Sequence, residues 1–388
     1  MQNYDFDTIV DRQGSASLKW ERYKGRDILP LWVADMDFKS PPAVIDALNR
    51  RVDHGIFGYT IPTDDLIEAV KTRLQADFDW AIDTDWLLWL PGLVTGLNVS
   101  CRVAGDDGDD ILTAIPVYPP FLSAPANSRH NLKTVELAYA DNRWIYDFDR
   151  FEKAVTPSTR LFMLCNPHNP VGRVLSRAEL EKLAALCERH DMLICSDEIH
   201  CDLVLDVDKR HLPIAALDPS IAKRTITLMA PSKTYNLPGL GCSYAIIPDG
   251  KLRGRFKRAM AGIVPGVNLM GFCATLAALQ DDRGWLLALR EYLRRNRELV
   301  SQAIERMPGL EVNRVEATYL AWIDTHASGI PDPVPFFEDA GVGLAEGRDF
   351  GDARFVRLNF GCPREILMTA LQRMAAALAN KAGLLQQT

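Results

Sequence analysis

Short apolar segments alternate with amphipathic segments between about residues 85 and 250, and this alternation is the clearest structural pattern in the chain. Five apolar segments have the length of strands: Ile111–Ile115, Leu161–Cys165, Leu193–Cys195, Thr225–Met229 and Ser243–Ile247. Apolar strands separated by helices predict a mainly parallel sheet that is covered on both faces. Ligand sites in such sheets lie at the carboxyl ends of the strands.

One amphipathic segment carries a helix-start signal. Ser176 and Glu179 are three residues apart and have the pattern of a capping box, in which each side chain bonds the other residue's backbone N–H. The pattern predicts a helix over Ser176–His190 with Leu180, Leu183, Ala184 and Cys187 on its apolar face.

The pattern changes after about residue 285. A long amphipathic helix begins near Trp285, and its apolar face is formed by Leu286, Leu289, Leu293 and Val300. Shorter strands are predicted at Thr318–Asp324 and Arg354–Asn359. We therefore predict an N-terminal arm over residues 1–45 that joins a small domain, a large domain over 46–285, and a C-terminal α+β domain over 286–388.

Composition and charge exclude several classes of function. The 388 residues are 47% hydrophobic and 24% charged, which is typical of a soluble globular protein. The net charge of −7 argues against a nucleic-acid partner, because phosphate binding needs a dense cationic face. A basic run at residues 251–258 is predicted to be the solvated face of a helix.

The chain also shows no sign of export or membrane insertion. Its first ten residues include two aspartates and no apolar core, and no apolar run reaches the ~18 residues of a membrane span. The eight cysteines are scattered, as expected for reduced thiols in the cytoplasm. Cys195, His200 and Cys201 lie close in sequence but lack the second ligand pair of a zinc site, so no metal is expected.

Lys233, Asp197 and Asn169 each lie in a loop that directly follows a predicted strand. A buried lysine has a lowered pKa and becomes nucleophilic, while a carboxylate can pair with a cationic ring nitrogen. The amide of Asn169 can donate to a phenolate oxygen. Taken singly, each residue has a plainer interpretation: a surface lysine, a turn cap and an ordinary Asn-Pro turn.

A possible phosphate site precedes these loops. The segment Pro91–Gly96 is predicted to open a helix, and free backbone amides at a helix start can bind a phosphate. A short glycine-containing loop is weak evidence alone.

The order and spacing of these segments resemble the fold-type I enzymes that use pyridoxal 5′-phosphate (PLP). The loop Asn166-Pro167-His168-Asn169-Pro170-Val171-Gly172 is followed by Asp197, 28 residues after Asn169, and by Lys233, 36 residues further on. The likeness covers essentially the whole chain. It implies an α/β fold with a large domain built on a mainly parallel seven-stranded sheet, plus a smaller α+β domain.

Within this superfamily the chain looks most like the MalY/PatB group of cystathionine β-lyases and related C–S lyases. The matching segments are Trp32–Phe38, His54–Tyr59, Ser196–His200, Thr318–Asp324 and Val356–Arg364. Aminotransferases of this superfamily usually have Tyr where this chain has His200 and a phosphate-binding Arg where it has Gly241. Both departures favour the lyase. An aminotransferase remains one alternative, and a PLP protein that regulates a partner is another.

The resemblance also implies roles for the cofactor-binding residues. Lys233 holds PLP as a Schiff base and moves the Cα proton, Asp197 pairs with the pyridine nitrogen, and Asn169 bonds the phenolic oxygen. Tyr118 stacks on the ring. The remaining expected contacts to the cofactor come from Leu93, Val94, His200, Ser232 and Tyr59. Ala230 stands where many relatives have Ser, which removes one phosphate contact.

Arg357 is expected to bind the substrate carboxylate, because a guanidinium makes a planar, two-bond match to it. Asn169 and Tyr59 also contact substrate by this resemblance. Tyr59 is expected to reach the site of a neighbouring subunit and assist catalysis there, so a homodimer with shared sites is predicted. The expected reaction converts L-cystathionine or a related cysteine S-conjugate to thiol, pyruvate and ammonia. The sequence leaves the physiological substrate open.

Overall fold

The computed structural model describes residues 4–281 and 283–385. Its central feature is a seven-stranded sheet with the order Leu87–Leu90, Ser243–Ile246, Thr225–Met229, Leu193–Asp197, Thr159–Cys165, Asp110–Ile115 and Asn131–Glu136. Six strands run in one direction, and Ser243–Ile246 is antiparallel to both of its neighbours. The predicted fold class, a mainly parallel seven-stranded sheet, is confirmed.

The five strands predicted in this region are present within two residues of their predicted ends. Two strands of the large sheet were not predicted, Leu87–Leu90 and Asn131–Glu136. Asn131–Glu136 lies at the sheet edge with Val135 as its one buried side chain, so it lacks an apolar pattern.

Helices cover the sheet and connect its strands. The α-helices are Leu18–Glu21, Pro42–His54, Asp64–Phe78, Leu93–Arg102, Pro119–Asn127, Phe148–Ala154, Arg177–Arg189, Pro219–Lys223, Gly250–Met260, Leu269–Gln280, Gly284–Ile304, Pro333–Asp339 and Arg364–Leu385. Short 3₁₀ helices lie at Thr84–Trp86, Ile214–Ala216, Pro238–Leu240, His326–Ser328 and Gly347–Phe350. The capping box of Ser176 and Glu179 is present, and the basic run forms part of a helix as expected.

The C-terminal part builds a second, smaller layer. The long helix Gly284–Ile304 buries its predicted apolar face. It accompanies a four-stranded antiparallel sheet with the order Glu311–Val312, Leu320–Asp324, Phe355–Asn359 and Ala345–Glu346. Two further pairs are Leu29–Pro30 with Val342–Gly343 and the hairpin Ala138–Ala140 with Arg143–Ile145.

The N-terminal arm packs against this C-terminal layer. Leu29–Pro30 pairs in parallel with Val342–Gly343, and one apolar cluster contains Phe6 and Leu31 together with Trp285 and Leu358. The boundaries proposed at residues 45 and 285 stay a prediction. No helix in the described ranges is long and apolar enough to cross a membrane.

Candidate active site

A cleft of about 270 Å³ opens at the carboxyl edge of the large sheet. The strands that end there deliver the loops predicted to carry chemistry. The cleft brings together Leu93, Val94, Tyr118, Asn169, Asp197, His200, Ser232, Lys233 and Arg357. Tyr59 does not line the cleft of its own chain. It is fully exposed in the loop between helices Pro42–His54 and Asp64–Phe78.

Lys233 lies in a tight turn after the strand Thr225–Met229, and its Nζ donates a hydrogen bond to the carbonyl oxygen of Ala34 at 2.6 Å. Burial lowers the pKa of the Lys233 amine to about 8, and the positive charge of Arg357 adds to this effect. The carboxylates of Asp35 and Asp197 partly oppose it. Near neutral pH a usable fraction of this amine is therefore unprotonated and nucleophilic.

Asp197 is the last residue of its strand, and its side chain is buried. Its Oδ1 accepts a hydrogen bond from the backbone N–H of Ile199 at 3.1 Å. Burial raises the pKa of the Asp197 carboxyl to about 7, with a smaller contribution from Glu198. A buried carboxylate of this kind is stabilised by a cation beside it, which a protonated ring nitrogen would supply.

Arg357 is also buried, and no carboxylate oxygen lies within 4.0 Å of its guanidinium in the described ranges. It donates instead to Oδ1 of Asn169 at 3.0 Å and to the carbonyl of Trp32 at 2.8 Å, and it stacks 4.5 Å from the ring centre of Phe350. Its Nε is buried and has no hydrogen-bond partner in the described part of the chain. Burial lowers the pKa of Arg357 to about 10. An incoming anion would satisfy this charge.

The loop that presents Asn169 is held rigidly. The backbone N–H of Tyr118 donates to the carbonyl of Asn169 at 3.0 Å, and His168 Nε2 lies 2.8 Å from the carbonyl of Pro116. Since Arg357 uses Oδ1 of Asn169, the Nδ2 amide remains available as a donor. Tyr118 lines the wall, and burial, with a further contribution from Asp197, raises its pKa.

The helix Leu93–Arg102 begins at the cleft, and no side chain caps its first amides. The backbone amides of Leu93 and Val94 are thus available for an anion. Gly241 lies against this loop with φ +56°, and a Cβ there would come 2.8 Å from the carbonyl oxygen of Pro91. This close approach explains a glycine at the position where aminotransferases carry Arg.

These groups fit PLP. Lys233 offers an amine for an aldehyde, Asp197 a buried carboxylate for a pyridinium, and Asn169 a donor for the phenolic oxygen. The uncapped helix start suits the phosphate, and Ser232 adds a hydroxyl to the wall. Ala230 lines the same wall without a polar atom.

Comparisons with known proteins agree with this geometry. Residues 26–374 match the family model described as aminotransferase class I and II. The chain is 37% identical to cystathionine β-lyase PatB of Bacillus subtilis (strain 168), covering 97% of this chain and 100% of that protein. The chain belongs to the aminotransferase class I and II family. The expected likeness to the MalY/PatB group within it is confirmed.

Two solved structures show the same architecture as this chain. The structure of OvoB has a TM-score of 0.95 and 46% identity, covering 97% of this chain and 99% of that chain. The PLP-bound C–S lyase from Staphylococcus hominis has a TM-score of 0.91 and 32% identity, covering 97% and 98%.

One feature of the site was not predicted from the sequence. It is the backbone of residues 32–38, which we call the strap. Its carbonyl groups accept hydrogen bonds from site residues: Arg357 donates to Trp32, and Lys233 donates to Ala34. Asn359 donates to the carbonyls on either side of Ala34, at 2.6 and 2.7 Å. The segment was identified as a family motif, but its backbone role depends on contacts about 200 to 325 residues apart in sequence.

His200 is buried in the cleft wall and packs edge-on against the ring of Tyr319. Burial lowers the pKa of His200 to about 3, and the charges of Lys233 and Arg357 add to the effect. His200 is therefore a neutral imidazole at neutral pH. Tyr319 was not predicted as a site residue; its hydroxyl donates to the carbonyl of Ala34 at 3.0 Å.

Proposed function

We propose that this protein is a PLP-dependent carbon–sulfur β-lyase of the cystathionine β-lyase type. One observation carries the proposal: a nucleophilic lysine, a buried carboxylate and a buried arginine with no carboxylate partner among the described residues line one cleft. The 37% identity to cystathionine β-lyase PatB supports the lyase over an aminotransferase.

Lys233 is the proposed attachment point for the cofactor and the proposed base for the substrate. Bound here, PLP withdraws electrons from the substrate's Cα, which acidifies the Cα proton and lets the β-thiolate leave. The Nζ of Lys233, once free, takes that proton, and its lowered pKa suits this role. Asp197 keeps the ring nitrogen protonated.

Arg357 orients the substrate in this proposal. Its guanidinium has no carboxylate partner in the described residues, so the α-carboxylate of an amino acid can bind it. Arg357 also donates a hydrogen bond to Asn169, which is the residue proposed to bond the cofactor's phenolic oxygen. The side chains that would hold substrate and cofactor are therefore in direct contact. Tyr118 would stack on the ring, and the amides of Leu93 and Val94 would hold the phosphate.

We also propose a homodimer with shared sites. The loop that carries Tyr59 exposes Ile56, Phe57 and Ile61, and such an apolar surface is suited to a protein interface. Tyr59 would then enter the partner's cleft and assist departure of the thiolate. A cytoplasmic location is supported by eight cysteines that are all free thiols.

Incubation of the holoenzyme with L-cystathionine and no keto acid tests the reaction. We expect equal amounts of pyruvate, ammonia and thiol from the wild type and none from Lys233→Ala. Thiolate departure needs little acid assistance because thiols have a reference pKa near 8.5. Turnover that requires a keto acid and leaves the carbon–sulfur bond intact would identify an aminotransferase instead.

A further inference from the structure

A second cavity, of about 360 Å³, shares no lining residue with the active-site cleft. It opens between helices Asp64–Phe78 and Gly284–Ile304 and the segment 201–211. Its wall carries six cationic side chains, Arg73, Lys209, Arg210, Arg283, Arg290 and Arg294, against three aspartates. This excess of positive charge stands out in a chain with a net charge of −7.

The three aspartates of the wall are already neutralised by neighbouring cations. Asp77 pairs with Arg73 and Arg283, and Asp202 pairs with Arg73 at 3.1 Å. Asp206 is paired at 2.6 and 2.7 Å with two arginines that lie outside the wall. Of the four cations that remain, Lys209 pairs with Glu316 at 3.4 Å and Arg294 pairs with Glu291 at 3.1 Å, and both of these carboxylates lie outside the wall.

Two guanidinium groups in the wall stay without a carboxylate partner. Within the described ranges, no carboxylate oxygen lies within 4.0 Å of Arg210 or Arg290. The Nε–H of Arg290 donates to the carbonyl of Asp202. Burial lowers the pKa of Arg290, the nearby charge of Arg73 adds to this effect, and the carboxylate of Asp202 opposes it. His211, in the same wall, has a buried Nδ1 that finds no hydrogen-bond partner among the residues that the structure describes, while its Nε2 lies 2.8 Å from Glu198.

We propose that this cavity is a binding site for a small oxyanion, a phosphate or dicarboxylate group, held by Arg290 and Arg210. Guanidinium groups form paired, charge-assisted hydrogen bonds with such anions, and partial burial strengthens them. The site goes beyond the lyase activity and does not depend on it.

The cavity is also connected to the turn that carries Lys233. Asp202 accepts a hydrogen bond from the hydroxyl of Thr234 at 3.1 Å, and Arg73 donates to the hydroxyl of Tyr235. Both partners directly follow Lys233 in sequence. An anion bound in this cavity thus contacts the arginine and aspartate network that supports the catalytic lysine.

Calorimetric titration of the holoenzyme in phosphate-free buffer tests the site, with inorganic phosphate and succinate as separate probes. We expect saturable binding of at least one probe, with about one site per chain. Arg290→Gln and Arg210→Ala should each weaken it at least about tenfold, since each removes a charged hydrogen-bond donor. The tighter probe identifies whether a phosphate or a dicarboxylate group is preferred.

Arg295→Ala is the matched control, because Arg295 lies on the same helix as Arg290, is exposed, and pairs with Glu291 at 3.0 Å outside the cavity wall. It should bind as the wild type does. Arg210 is exposed, so the Arg210→Ala variant tests the site even if Arg290→Gln does not fold. Absence of saturable binding by both probes, or equal affinity in all variants, would overturn the proposal.

Discussion

Three side chains of the cleft, the partly buried Lys233 and the buried Asp197 and Arg357, each have a pKa shifted toward the neutral form. Burial is the largest cause in all three, which means that the protein does not fully compensate their charges. Cofactor and substrate supply complementary charges in the proposed function. These uncompensated charges therefore destabilise the ligand-free chain, and the same charges favour tight and oriented binding of cofactor and substrate.

Replacement of Asp197 by Asn should stabilise the apoprotein at alkaline pH. The pKa of Asp197 is raised from 3.8 to about 7, so its destabilising effect is absent below pH 4, grows as pH rises, and is complete above pH 7. We expect the free energy of unfolding of Asp197→Asn to exceed that of the wild type by roughly 1–3 kcal/mol at pH 8, and by less at pH 5. Urea denaturation of both apoproteins measures this difference.

With cofactor bound, Asp197→Asn should turn over at least about 100-fold more slowly than the wild type, which is the scale of one preorganised electrostatic contact. A gain in stability that does not depend on pH would show that the ionisation of Asp197 is not its source. Near-normal turnover would show that a group other than Asp197 keeps the cofactor's ring nitrogen protonated.

Lys233 should react with amine reagents at a lower pH than an ordinary lysine. Its pKa is lowered from 10.5 to about 8, so the free amine accumulates as pH rises through 8. Acetic anhydride labelling of the apoprotein, followed by mass spectrometry of the Lys233 peptide, should show a midpoint near pH 8. A midpoint near 10 would contradict the environment described for this amine.

At the scale of elements, the site depends on where several strands end. The loops after Leu87–Leu90, Asp110–Ile115, Thr159–Cys165, Leu193–Asp197 and Thr225–Met229 meet at one edge of the sheet. The start of the antiparallel strand Ser243–Ile246 lies at the same edge, which places Gly241 against the loop before helix Leu93–Arg102.

Gly241→Ala should therefore weaken cofactor binding by about tenfold or more. Its φ of +56° disfavours any side chain, and the added Cβ would displace Pro91 and the amides that follow it. Spectroscopic titration of the apoprotein with PLP gives the affinity. Gly239→Ala is the matched control, because it lies in the same turn with nothing within 4 Å of the added Cβ. Equal losses in both variants would count against a specific role for Gly241.

Local pattern was enough to predict most strands of the large sheet, the capped helix Arg177–Arg189 and the loops that carry Lys233, Asp197 and Asn169. It could not predict the reversed direction of Ser243–Ile246, because apolar composition does not encode strand direction. Nor could it predict the partners of Arg357, since Trp32, Asn169 and Phe350 reach it only through tertiary packing.

At the scale of the whole molecule, the N-terminal arm helps to build the site. Lys19 is fully buried and pairs with Asp37 at 2.7 Å, and Arg12 bonds Asp35 and Asp37 at 2.7 and 2.6 Å. These ion pairs fix the strap, residues 32–38, whose carbonyls receive hydrogen bonds from Lys233 and Arg357. The first and last parts of the chain are thus required for one cleft.

The proposed dimer makes each site depend on two chains, and mixed dimers test this. Tyr59 is fully exposed and absent from its own cleft, whereas Lys233 lies within it. Lys233→Ala chains should be inactive alone, and Tyr59→Ala chains nearly so, because the latter lose a proposed contact to the cofactor and the substrate as well as the helper of thiolate departure. Random mixing gives about half heterodimers, each with one intact site, so activity should recover to about one quarter of wild type. Recovery must disappear when both substitutions are placed in one chain and mixed with Tyr59→Ala, because Lys233 is then present but no chain supplies Tyr59. Heterodimers that form without any recovery would show that Tyr59 acts within its own subunit.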